Sequence, residues 1–144
     1  MKSNLVVLGL DVGEKRVGAA YGNFSVRIAS PLAPMINDQK IFQKISALAG
    51  RIKATAIVIG LPRDISGSET GQAKIVRDFA ARLAEEIDLQ IILQDESLTS
   101  VLAEAKLRAR KNFHELMLRN GTLDSEAAVL ILQDFLERGG YGVL

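Results

Sequence analysis

Carboxylates interrupt the most apolar stretches of this chain at three places. Asp11 follows LVVLGL, the pair Asp95 and Glu96 follows LQIILQ, and Asp124 stands at the head of the run AAVLILQDFL. An acid at the end of a buried strand loses hydration and needs a compensating partner. Three acids converging on one sheet edge suit hard divalent cations, which prefer oxygen ligands. Two such ions roughly 3.5–4 Å apart activate a water and stabilise the leaving oxygen of a phosphodiester. The expected chemistry is therefore phosphodiester hydrolysis with Mg2+ or Mn2+ held by Asp11, Glu96 and Asp124. It needs no nucleophilic side chain, and a chain with no cysteine and one histidine offers few.

Each acid also has a structural reading. Asp11 could cap the turn DVGEK, and Asp124 suits a first helical turn through the macrodipole whatever else it does. Of Asp95 and Glu96, neighbours on a strand, one points at the site and the other away; Glu96 is taken as the ligand and Asp95 as a loop-shaping residue. Lys15 and Arg16 follow Asp11 by four and five residues, so one of them can reach back to a backbone phosphate. The loop GLPRDISGSE, with Gly60, Pro62 and Arg63, precedes a helix and suits phosphate cradling by backbone N–H groups. Thr99 serves first as a helix cap, and His114 reads as a surface histidine.

The elements that must position these residues follow from periodicity. Residues 4–11, 15–22 and 25–31 read as a three-stranded meander with a tight turn at Gly13. Apolar positions from Ile41 to Ile52 give a first helix, with Asn37 or Asp38 as its cap. AIVIGL at 56–61 and LQIIL at 89–93 read as buried strands on either side of a helix through Val76, Phe79, Leu83 and Ile87. That is a β-α-β unit with parallel strands. A helix from about Thr99 to Arg110 and a last one from Asp124 to Glu137 complete the order βββαβαβαα. This predicts an α/β domain with a mixed five-stranded sheet and helices on both faces. Ala127 and Ala128 carry only methyl groups, which lets the last helix press its start against the sheet edge beside Asp11.

The 144 residues, nearly half of them hydrophobic, are enough for one domain with a sizeable core. A single domain is expected over 1–138, with a loose tail at 139–144. Without cysteine there is no disulfide frame or thiolate site, and a reducing cytoplasm is the simplest compartment. The apolar start is too short for a signal segment and no stretch could span a bilayer. A net charge of +1 argues against binding nucleic acid by bulk electrostatics but leaves room for a local basic face. The basic stretch from Lys106 to Arg119 reads first as a solvated helix end.

Taken in order, LGLDVGEKRVGAA, VIGLPRDISGSETGQA, DESLTS and LDSEAAVLILQDFL resemble the YqgF-type family, also called RuvX, over almost the whole chain. Its members are described as Holliday junction resolvases or pre-16S rRNA nucleases with an RNase H-like fold. The resemblance implies a metal-dependent endonuclease whose acidic triad falls on Asp11, Glu96 and Asp124, with Lys15, Arg16, Gly60, Pro62 and Thr99 in the boxes around the cleft. Its partner would be structured RNA or branched DNA, with maturation of the 5′ end of pre-16S rRNA preferred. Two departures stand out. Ser97 occupies a position where the family usually has arginine, and Arg63 stands where an apolar residue is usual. A catalytically silent binding module on the same fold, and an ATP-binding fragment of the actin and sugar-kinase group, are the competing readings. Whether the chain acts as a monomer or a homodimer stays open.

Overall fold

A computed structural model describes residues 5–63, 71–97 and 125–139. Three strands, β1 (Val6–Val12), β2 (Arg16–Asn23) and β3 (Ser30–Ile36), form the meander. Helix α1 (Ile41–Ile52) then leads to β4 (Ala54–Arg63), α2 (Gly71–Glu86) and β5 (Gln90–Ser97), and α3 (Glu126–Glu137) comes last among the described elements. The sheet order is β3-β2-β1-β4-β5. β1 pairs antiparallel with β2 but parallel with β4, and β4 pairs parallel with β5. The carboxyl ends of β1, β4 and β5 therefore meet at one edge, the usual place for ligands in such sheets.

Strand alternation divides the core into two layers. Leu8, Leu10, Ile57 and Ile59 pack under α1 and α2, where the Phe42 and Phe79 rings sit 5.0 Å apart. Val7, Val58 and Ile92 face α3, against Leu132 and Phe135. Helix α3 lies so close to the sheet that a β-carbon at Gly9 would stand 2.7 Å from Leu132 Cβ, and one at Gly60 would stand 2.5 Å from Ile131 Cδ1. Glycine at these two places is what permits the approach.

Several boundaries differ from the periodicity reading. The third strand is not 25–31 but Ser30–Ile36. Asn23 Oδ1 accepts from Val26 N at 2.9 Å, and Arg27 N donates to Asn23 O, so the chain turns where a strand was expected. Pro31 and Pro34 are tolerated because β3 is an edge strand, with a free side where no N–H is needed. The fifth strand runs on through Asp95, Glu96 and Ser97, because β4 continues to Arg63 and pairs with it throughout. Helix α1 begins at Ile41; Asp38 shapes the preceding turn by accepting from Lys40 N, and neither Asn37 nor Asp38 is the cap residue. The helix expected from Thr99 to Arg110, the basic stretch with His114, and residues 140–144 of the tail lie outside the described residues.

Candidate active site

Asp11 is the penultimate residue of β1 and pairs with Gly18 of β2. By alternation it faces α3, as Val7 and Gly9 do. The β1–β4 ladder ends at Leu10 and Ile59, so Gly60 stands in the next row, on Asp11's other flank. Gly60 pairs in turn with Gln94 of β5, and Pro62 with Glu96. Asp11 is thus flanked by two residues without side chains, which leaves its carboxylate uncovered by its in-sheet neighbours. Arg16, two residues before Gly18 on β2, stands on the same face by alternation. Lys15 is exposed in the β1–β2 turn, where its carbonyl accepts from Asn37 N at 2.9 Å.

Glu96 lies on the same face two strands away, and Asp95 points to the opposite one. Its surroundings are unusual for a carboxylate. Burial, followed by a hydrogen bond to the Asp134 carboxyl, pushes its pKa up to about 7, against the opposing pull of the Gln94 amide and the Arg138 guanidinium. Asp134 itself pairs with Arg138 one turn on at 2.9 Å. Gln94, fully buried, donates its amide to Glu96 Oε1 and to the backbone carbonyl of Ile131 at 3.0 Å, joining β5 to α3.

The start of α3 is fixed by Ser125. Pairing of β2 with β3 slips between Val17 and Ala19, leaving backbone groups without their ladder partners. Ser125 Oγ fills that gap: it accepts from Ala19 N at 3.0 Å and donates to Leu32 O at 2.7 Å, fully buried. Ala19 lies opposite Leu10, next to Asp11, so residue 125 is held at the β2–β3 gap, on the strand that neighbours the acid-bearing end of β1. Asp124 and Thr99 lie outside the described residues, and Arg63 closes β4 opposite Ser97.

The structure therefore brings Asp11, Arg16, Gly60, Pro62 and Glu96 to one face and one edge. It adds Gln94, Ser125 and Asp134, which sequence reasoning did not single out. For Gln94 a signal existed: it is a polar residue two positions from Ile92, on the buried face of an apolar strand. As a test for a cation, the donor chemistry fits, since the acids are hard oxygen donors and Glu96 stands in a setting that a positive charge would relieve. Among the described residues no three acids or histidines lie close enough to hold an ion by themselves.

An acid-bearing edge on this mixed sheet, with a helix laid across it, defines an α/β protein of the RNase H-like class. Two solved structures share the fold: Thermus thermophilus RuvC in complex with Holliday junction substrate, at TM-score 0.53 and 15% identity over 95% of this chain and 97% of that one, and the fowlpox virus Holliday junction resolvase, at 0.52 and 12% over 93% and 99%. Within that class the chain belongs to the RuvX family, described as Holliday junction resolvase, whose profile matches residues 5–138. A protein of Sulfurihydrogenibium sp. is 40% identical over 134 residues, 92% of this chain and 90% of its own. One of Synechocystis sp. is 39% identical over 140 residues, 95% and 90%. Both carry the name "Putative pre-16S rRNA nuclease".

Proposed function

We propose that this chain is a divalent-metal-dependent endonuclease that hydrolyses phosphodiester bonds in structured nucleic acid, with the 5′ end of pre-16S rRNA as its substrate. The observation that carries the reading is the placement of Asp11 and Glu96 on one face of one sheet edge, on the side that α3 covers, with the start of that helix anchored to β2 and β3. Asp11 and Glu96, joined by Asp124, which precedes Ser125 in the sequence, would hold Mg2+ or Mn2+. When bound, such ions supply Lewis acidity toward a water nucleophile and the leaving oxygen. The chain's own contribution is to orient. Arg16 and Lys15 on the flank of Asp11 draw the phosphate backbone in, and Gly60 leaves room beside the acid. Thr99 and Arg63 complete the substrate contacts in this reading.

The likeness of the relatives' names favours RNA, and the fold neighbours solved as junction resolvases keep branched DNA as the second substrate to test. No described helix is long and apolar enough to cross a membrane, and a cytoplasmic site of action goes with the rRNA reading. The test offers the same preparation a pre-16S rRNA fragment and a four-way DNA junction with Mg2+ or Mn2+, alongside its mass in solution. Cleavage of the RNA, lost in Asp11→Asn with binding retained, is the expected result. Cleavage that persists in Asp11→Asn would falsify the site. A dimer that resolves junctions and ignores RNA would replace the substrate, and binding without cleavage of either would indicate a silent module.

A further inference from the structure

Gln94 is fully buried at the centre of this site, and its role is set by what surrounds its amide nitrogen. Among the described residues, three oxygens lie there: Ile131 O at 3.0 Å, Asp134 Oδ2 at 3.4 Å, and Glu96 Oε1. The Ile131 carbonyl can only accept, so the amide presents its NH2 group rather than its carbonyl on this side. Two hydrogens cannot satisfy three acceptors equally. The Asp134 contact is at the limit of a hydrogen bond, and Asp134 has Arg138 as a partner at 2.9 Å. The two hydrogens therefore go to the Ile131 carbonyl, which belongs to the helix backbone and cannot move, and to the Glu96 carboxylate. One end of the amide is tied to α3 and the other to the acid.

Given the reading of Glu96 as a cation ligand, we infer that Gln94 is the positioning residue that holds its carboxylate in the orientation an ion requires. A glutamate has three side-chain torsions, and fixing them when an ion arrives costs conformational entropy. A buried donor already bonded to the carboxylate removes part of that cost. Carboxylates that bind metals are commonly held in this way by outer hydrogen bonds, whose loss lowers metal affinity by about 10–100-fold. Gln94 touches neither substrate nor ion; it acts through Glu96 and sets which way it faces.

The experiment measures Mn2+ binding by electron paramagnetic resonance to wild type, Gln94→Met, Glu96→Gln and the double variant, with melting temperature and the KM for nucleic acid measured alongside. Gln94→Met keeps the length and removes the donor. The expected result is an affinity loss of about tenfold in Gln94→Met, an unchanged KM, and no further loss when the same change is made in Glu96→Gln. Unchanged affinity, or an equal loss in both backgrounds, overturns the inference while leaving Glu96 as a ligand. If Glu96→Gln itself binds Mn2+ and cleaves as wild type does, the Glu96 reading fails and the inference falls with it. Should Gln94→Met fail to fold, the wild-type chain still decides. The side-chain amide signals of Gln94 in an NMR titration move as Mg2+ is added, and signals that stay put overturn the inference.

Discussion

Replacing Gly9 by alanine puts a methyl group 2.7 Å from Leu132 Cβ. Carbon atoms in contact prefer about 3.5–4.0 Å, so one partner must retreat by roughly 1 Å. The new atom is fixed to β1 and Leu132 Cβ is fixed to the helix backbone, so no rotamer change relieves the clash. Helix α3 must lift. Overpacking of this kind costs about 1–3 kcal/mol. The lift also reaches the helix start, where Ser125 holds Ala19 N at 3.0 Å and Leu32 O at 2.7 Å. If that end carries a ligand acid, a displacement near 1 Å lowers the cleavage rate by up to about 100-fold. Urea unfolding followed by circular dichroism gives the first quantity, and single-turnover cleavage at saturating Mg2+ gives the second. The neighbouring glycine supplies the control. An alanine at position 60 meets Ile131 Cδ1 at 2.5 Å and Cγ1 at 3.0 Å; Ile131→Val deletes the nearer atom and keeps the other, so Gly60→Ala should be partly relieved by Ile131→Val. Leu132→Ala leaves the offending Cβ in place and should give Gly9→Ala no such relief in a double-mutant cycle. Stability of Gly9→Ala within about 0.5 kcal/mol of wild type, or relief by Leu132→Ala, refutes the close-approach reasoning.

Further outcomes follow from the same site. In metal-free protein, the raised pKa of Glu96, about 7, means the folded chain keeps a proton there that the unfolded chain releases near its ordinary value of 4.5. The contribution to stability is therefore complete below the lower value and is lost as pH rises through the upper one. Melting temperatures with a chelator present should fall over that window in wild type and fall less in Glu96→Gln; parallel curves would remove the assignment. Ser125→Ala leaves a buried N–H and a buried carbonyl at the β2–β3 slip without their partner and should cost about 2–4 kcal/mol, read by urea unfolding. A loss under about 0.5 kcal/mol would mean that the gap closes by itself. Gln133 accepts from Ala29 N at 2.9 Å and donates to Arg27 O at 2.8 Å. Gln133→Leu should speed amide exchange at Ala29, and protection equal to wild type would count against that clasp.

How much of this was legible beforehand depends on the range over which each signal acts. The apolar runs of β1 and β4 and the period of α1 are local, and the polar residues at their ends stood out for that reason. β3 was misplaced because SVRIASP has strand-like residues while the prolines of PLAPMI argue against one. Only its place at the sheet edge makes those prolines harmless, and that place is a property of the assembled sheet. The end of β5 was misjudged for a similar reason, since Asp95 to Ser97 look like a loop until β4 supplies partners to match. Asp11 and Glu96 could be proposed from their own neighbourhoods. Ser125 and Asp134 could not, and Gln94 stood out only as a polar residue on a buried face, because each draws its meaning from a partner on another element; the oxygens that Ser125 and Gln94 address lie 93 and 37 positions away.

The two side chains by which the α3 segment closes gaps in the β2–β3 hairpin have a consequence for how the chain comes into being. Ser125 and Gln133 complete backbone bonds of residues 106 and 104 positions earlier. During synthesis, the meander must wait for these two later residues with those groups still bonded to water. Contacts of such long separation slow folding, because the loop must close before the bonds form. The hairpin is thus made long before it is finished, and a nascent chain stalled before Ser125 would leave the β2–β3 gap bonded to water.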